Sequence, residues 1–201
     1  MSRTHSIILL ALIVAACFGS AAAQRRDRIP PPRDPQFYAP RNKLEEFEGR
    51  LETILVKGRT YVATLRVSGG GVARVEAIEV RDTGNSTRAT GVVVTTGPVE
   101  NASVNEIRSL IDYEEIEPLI KAFDIAAKAE DSITKLTHFE VRYRTRGDFE
   151  IVVFKQITGS GVAAAIESGF FERSRLLLTL DELTRLRWMV AQAKEKLDEI
   201  K

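Results

Sequence analysis

A chain of 201 residues carrying 29 basic and 28 acidic side chains has almost no net charge, which argues against a general polyanion binder, because nucleic-acid affinity rests largely on a basic surface that neutralises phosphates. Its one cysteine, Cys17, excludes an internal disulfide, and with only His5 and His138 as histidines the chain lacks the His and Cys ligand set of a zinc site.

The first element in chain order is a leader. Arg3 precedes the apolar run Ile7-Ile8-Leu9-Leu10-Ala11-Leu12-Ile13-Val14-Ala15-Ala16, and Ser20-Ala21-Ala22-Ala23 follows it. A positive start, an apolar core too short to span a bilayer and a small-residue end are the features of a secretory signal peptide, read here over residues 1–23. Two endings fit. Cleavage after Ala23 leaves Gln24 as the first residue of a soluble periplasmic or extracellular protein. Alternatively, Val14-Ala15-Ala16-Cys17 resembles a bacterial lipobox, and an acylated Cys17 would anchor the protein to a membrane, each buried methylene contributing about 0.8 kcal/mol. No arginine pair supports the twin-arginine route. With Arg3 set aside, 28 basic residues balance 28 acidic ones.

Residues 24–41 hold Pro30, Pro31, Pro32, Pro35 and Pro40 together with Arg25, Arg26, Arg28, Arg33 and Arg41. This composition reads as an extended Pro/Arg-rich linker. Roughly 160 residues remain, enough for a single α+β domain over 42–201 with a substantial packed core.

Within that domain, Leu44, Phe47, Leu51, Ile54 and Leu55 recur at helical spacing and predict a first amphipathic helix that ends at Gly58 and covers a sheet. Strand signals follow at Thr60–Val67, Val72–Arg81 and Ala89–Thr96, separated by Ser68-Gly69-Gly70-Gly71 and by Asp82-Thr83-Gly84-Asn85, with a fourth at Ile107–Ile111. Asp112 and Glu115 have the spacing of a capping box, opening a helix with Ile116, Leu119, Ile120 and Phe123 on one face. Pro118 predicts a kink in it or a later start.

The plan then repeats. Phe139–Thr145 alternates as a half-buried strand, Arg146-Gly147-Asp148 turns it into Phe149–Ile157, and Thr158–Gly161 leads to Val162–Ser168 and Arg173–Leu178. Thr179 and Glu182 form a second capping box, opening a last helix with Leu183, Leu186, Val190, Ala193 and Leu197 on its apolar face. Aligning Arg108-Ser109-Leu110-Ile111-Asp112 with Arg175-Leu176-Leu177-Leu178-Thr179 at constant offset gives a weak internal repeat, with units at 59–130 and 135–201. The expected fold is therefore α+β: antiparallel sheet in two four-strand-plus-helix units, with an additional N-terminal helix packed on the sheet.

This organisation resembles the Whirly, PUR-repeat and PC4-like families, in which four antiparallel strands precede a helix. The resemblance covers most of residues 59–201 and is one of topology. It implies single-stranded nucleic-acid binding, with Arg142, Arg144 and Arg146 beside Tyr143 and Phe139 as the residues such a surface would use. By strand alternation Tyr143 and Phe139 fall on the face opposite the arginines, whereas a stacking platform needs both on one face.

No catalytic residue, cofactor or metal ligand emerges. His138 starts a strand on its polar side, where an exposed histidine is expected, and the cluster Asp112, Glu114, Glu115, Glu117 is explained by the preference of acidic side chains for a helix N-terminus. Ser68-Gly69-Gly70-Gly71 precedes a strand and lacks the following Gly-Lys-Ser/Thr of a phosphate loop. Arg146-Gly147-Asp148 matches an integrin-recognition triplet, but Gly-Asp is also turn chemistry. Asn85-Ser86-Thr87 and Asn101-Ala102-Ser103 are glycosylation sequons. Trp188 lies about 140–160° around the last helix from its apolar stripe, making it a candidate contact residue unless the first helix covers it. The expectation is an exported, non-catalytic binding or structural component, partnered by a protein or another part of the cell envelope. Its oligomeric state is left open.

Overall fold

The computed structural model describes residues 39–98, 106–156 and 161–201. Cys17, Ala23, Gln24 and nearly all of the linker lie outside these residues, as do the sequon at Asn101 and most of the Thr158–Gly161 turn.

A short helix α1 (Lys43–Glu48) is followed by β1 (Leu55–Arg66), β2 (Val72–Asp82), β3 (Arg88–Gly97) and β4 (Ile107–Asp112), then by α2 (Tyr113–Ala126). A 3-10 turn at Asp131–Ile133 leads to β5 (Glu140–Arg144), β6 (Phe149–Lys155), β7 (Val162–Ser168), β8 (Ser174–Leu178) and α3 (Leu180–Asp198). The strands form two four-stranded antiparallel sheets, A in the order β1-β2-β3-β4 and B in the order β5-β6-β7-β8. The expected α+β architecture of two four-strand-plus-helix units is the one observed.

The main core lies between the inner faces of the sheets and the two long helices. Val75, Val92, Ile111, Phe123, Phe149, Ile151, Ile166, Leu183 and Leu186 are all buried there. Both long helices bridge the sheets: α2 packs on β3 and β4 of sheet A and on β5 and β6 of sheet B, while α3 packs on β1, β2 and β3 of sheet A as well as on β7 and β8. A second, smaller core forms on the outer face of sheet A, where Leu44 and Phe47 of α1 cover Ile78, Val93 and Leu110.

The two capping boxes tie the units together. Glu115 accepts from the Asp112 N–H with one oxygen and from the Arg146 N–H (2.8 Å) with the other. Glu182 accepts from the Thr179 N–H (2.8 Å) and from the Ser68 N–H (2.7 Å). Each glutamate thus caps its own helix and clasps the first hairpin turn of the other unit. Burial pushes the Glu182 carboxyl up, but the N–H bonds from Thr179 and Ser68 outweigh it and hold it below the usual carboxylate range. The turns close against the opposite sheet edge. A Cβ on Gly147 would collide with the Leu110 carbonyl oxygen, and one on Gly69 would lie 3.0 Å from that of Leu177.

Several sequence expectations need correction. The first helix is six residues long, not a helix running to Gly58: Asn42 caps its start through Glu45 N–H (2.8 Å), and Gly49 ends it. Leu51 and Ile54 are exposed, Leu55 and Gly58 belong to β1, and the chain reverses at Glu52, which has positive φ. Helical spacing across this stretch is coincidental with a turn followed by an exposed edge strand. α2 does not start late: Pro118 lies inside it. The imide leaves the Glu114 carbonyl without its helical donor, a cost that the burial of Ile116, Leu119, Ile120 and Phe123 offsets.

Candidate functional site

The outer faces of the two sheets are related by the repeat but differ in what lies on them. On sheet A, α1 is fixed by its own backbone: the Asp112 carboxylate accepts from the Lys43 and Leu44 N–H groups (2.8 and 3.0 Å), and Asn42 Nδ2 donates to the Leu110 carbonyl (2.6 Å). Lys43 pairs with Glu114 (2.5 Å), whose hydrogen bond lowers the Glu114 carboxyl below its ordinary value. The acidic cluster of the sequence is therefore fastening. Asp112, Glu114 and Glu115 hold α1, α2 and the Arg146 turn in place.

On sheet B the corresponding face is a groove of about 850 Å³. The strand register sets its floor. Glu140 lies opposite Phe154 and Phe154 opposite Ala163; in the next row Arg142, Val152, Ala165 and Leu177 follow one another across the sheet. Phe154 is half-buried and Leu177 is 54% exposed, with the small Ala163 making a hollow between them. His138, Lys155, Gln156 and Arg175 stand at the rim, and Ser68-Gly69 of the clasped turn closes one end. The Arg175 guanidinium lies 5.8 Å from the centre of the Phe154 ring, within cation–π range. Arg142 is committed to Glu140 (2.8 Å) and to buried Glu150 (2.6 Å), and Arg175 reaches Glu167 (3.3 Å). The groove therefore has an apolar floor and a rim of mixed charge, Glu140 standing with Lys155 and Arg175.

The residues singled out in the sequence separate in space. Arg142 and Arg144 point outward from β5, whereas Phe139 and Tyr143 pack against the main core, as alternation requires; burial raises the Tyr143 hydroxyl above its ordinary value. Arg146-Gly147-Asp148 is a clasped turn, and Asp148 is buried and paired with Arg41 and Arg144, so the triplet does not present its carboxylate to solvent. Asn85 spends its side-chain oxygen on Thr87 within the β2–β3 turn. His138 is exposed at the groove rim.

Trp188 is 56% exposed. With Arg185 and Met189 it lines a second hollow of about 700 Å³ against Ala63–Arg66 of the edge strand β1. The first helix does not cover it, because α1 sits on the outer face of sheet A and α3 on the inner one.

Sequence reasoning missed Phe154, Ala163 and Leu177 as a site. The signal was present: β6 carries Val152 and Phe154 between the inward-facing Phe149, Ile151 and Val153, and a strand apolar on both faces calls for cover on both. Among the described residues no group of three or more His, Cys, Asp or Glu side chains could hold a metal ion, and no helix is long and apolar enough to cross a membrane.

The class defined here is a twin four-strand-plus-helix α+β domain in which, among the described residues, a helix lies on the outer face of one sheet and a groove on that of the other. No protein family's sequence profile matches the chain, and no curated protein matches it.

Proposed function

We propose that this protein is exported and acts without catalysis, its folded unit holding a partner of the cell envelope or extracellular space on the outer face of sheet B. The observation that carries the reading is the open groove over Phe154, Ala163 and Leu177, an apolar surface of the kind that marks a binding site when it is contiguous and rimmed by polar groups. The leader and the Pro/Arg-rich segment supply the address.

A photo-crosslinking residue placed at Leu177 in the native host tests the reading. The expected result is a stoichiometric adduct with an envelope or extracellular protein, diminished by a neighbouring Ala163→Leu change. No adduct at Leu177, or substrate turnover abolished by His138→Ala, overturns it. Intact-mass analysis of the native protein tests the address. A chain beginning at Gln24 is the soluble form and one beginning at acylated Cys17 the anchored form, whereas an uncleaved chain removes export.

A second reading, single-stranded nucleic-acid binding, is favoured by one observation: Phe154 shares its face with Arg142 and Arg175, the combination that base stacking requires. It calls for oligonucleotide binding that falls steeply with salt. Binding that is absent at physiological ionic strength removes it.

A further inference from the structure

We propose that an acidic extended segment of a partner protein adds to the free edge of sheet A as a fifth strand, beside β1 and across Trp188. This surface lies apart from the groove on sheet B.

The edge is available. β1 is hydrogen-bonded to β2 alone, so among the described residues the N–H and C=O groups on its other side meet no strand, and such a row is a template for another chain. The β1–β2 ladder slips between Tyr61 and Ala63, a bulge that splits the edge in two. From Ala63 to Arg66 the pairing is regular again, with Ala63 opposite Val75 and Arg66 opposite Val72. The hollow of about 700 Å³ runs along these four consecutive residues. Neighbours in a strand point to opposite faces, so a hollow that touches all four occupies the line of the edge itself, where the next strand of the sheet would lie. Ala63 and Leu65 turn toward the core that also holds Met189, while Thr64 and Arg66 are exposed on the other face.

The walls name the occupant. On the α3 side, the 56% exposed Trp188 stands beside buried Met189, an apolar landing for every second side chain of an added strand. Arg66 of the strand and Arg185 of the helix are both exposed, and no acidic residue lines the hollow with them. Neither guanidinium has a carboxylate partner among the described residues, in contrast to Arg187, two residues along α3, which Asp124 holds through two hydrogen bonds of 3.0 Å. Carboxylates on the incoming strand would complete both pairs. A second copy of β1 does not fit that charge: Leu55–Arg66 carries Lys57, Arg59 and Arg66 and no acidic residue. The chain's own residues 24–41 do not fit it either, because they bring five arginines, and their five prolines lack donor N–H groups. Main-chain pairing for affinity, with alternate side chains read for selectivity, is the mode by which sheet edges capture extended peptides.

The test uses Trp188 as its own reporter, since it is the one tryptophan of the chain. A blocked peptide of about ten residues, alternating valine and glutamate with aspartate at both ends, is titrated into the protein purified from its native host while indole emission is followed; its carboxylates keep it from pairing with itself. The expected result is a saturable blue shift with Kd of about 10–100 µM, weakened at least tenfold by Arg66→Glu combined with Arg185→Glu and unchanged by Leu177→Asp. Both arginines are exposed, and an unchanged thermal midpoint verifies the fold of the double variant. Strand addition has its own signature: N-methylation of one alternate set of peptide amides should abolish binding, and methylation of the other set should change it less than about threefold, because only one set faces β1. Equal tolerance of both sets, binding that ignores the arginine changes, or no saturable shift overturns the proposal. So does a tighter, salt-sensitive shift of Trp188 emission by a thymidine oligonucleotide of equal charge, which would assign the hollow to nucleic acid.

Discussion

The two units share a fold, a pair of capping boxes and a reciprocal clasp, and part company on their outer faces: sheet A is closed by six residues of α1, whereas no helix among the described residues lies on sheet B. The difference shows how little is needed to convert a sheet surface into a core. Two side chains, Leu44 and Phe47, supply the apolar cover, and one carboxylate, Asp112, aims the backbone that carries them. Full burial of each side chain contributes about 1.5–3 kcal/mol. On sheet B, Phe154 stays half-buried and Leu177 largely exposed.

Substitutions at matched positions sharpen this contrast. The largest effect is expected at Gly147. Gly147→Ala forces a Cβ into the Leu110 carbonyl and should cost about 3 kcal/mol or more, whereas Gly69→Ala, at the equivalent turn, has a 3.0 Å approach to relieve and should cost about 1 kcal/mol or less. Denaturant titration of both variants measures the ratio, and equal costs would break the contrast between the two turns. Next comes the leucine pair. Leu44→Ala empties a sealed seat and should lose about 2–4 kcal/mol, while Leu177→Ala removes a side chain that is already half in water and should lose under about 1 kcal/mol.

Glu182→Gln should cost about 1–2 kcal/mol at neutral pH through a weakened cap and clasp. Because the folded carboxyl of Glu182 lies below its ordinary value, its contribution is complete above the unfolded glutamate pKa of about 4.3 and is lost as pH falls through the lower folded value. The wild-type protein should therefore lose stability more steeply than the variant over that acid range. Parallel curves would show that the charge is not what holds the clasp. The smallest change is expected from Trp188→Ala, within about 0.5 kcal/mol; loss of the fold would instead make Trp188 structural and withdraw it as a contact residue.

Much of this organisation was legible in the residues, for a physical reason: strand alternation and helix periodicity record burial directly. Val72–Asp82, Phe149–Lys155 and the apolar stripe from Leu183 to Leu197 show it plainly. Both capping boxes were readable because the cap and the third residue after it must be paired types. The clasps were not, since nothing local links Glu115 to Arg146 or Glu182 to Ser68. The length of α1 was misjudged because Leu51 and Ile54 imitate a helical stripe while pointing to solvent. Trp188 was placed correctly from its angle on the helix. The groove escaped notice because alternation reports which face a residue takes, not whether another element covers that face.

The reach of α3 across both sheets has a consequence for how the chain can acquire its structure. Leu65, Val75 and Val92 of sheet A share a core with α3, which follows both sheets in the chain. Sheet A is complete in sequence at Asp112 and α2 covers β3 and β4, yet β1 and β2 take their long-helix cover from Leu180–Asp198. The core under β1 and β2 therefore closes only when the segment furthest from them in the chain joins it. Truncation before Leu180 would leave α2 as the one long helix bridging the sheets and uncover Leu65 and Val75.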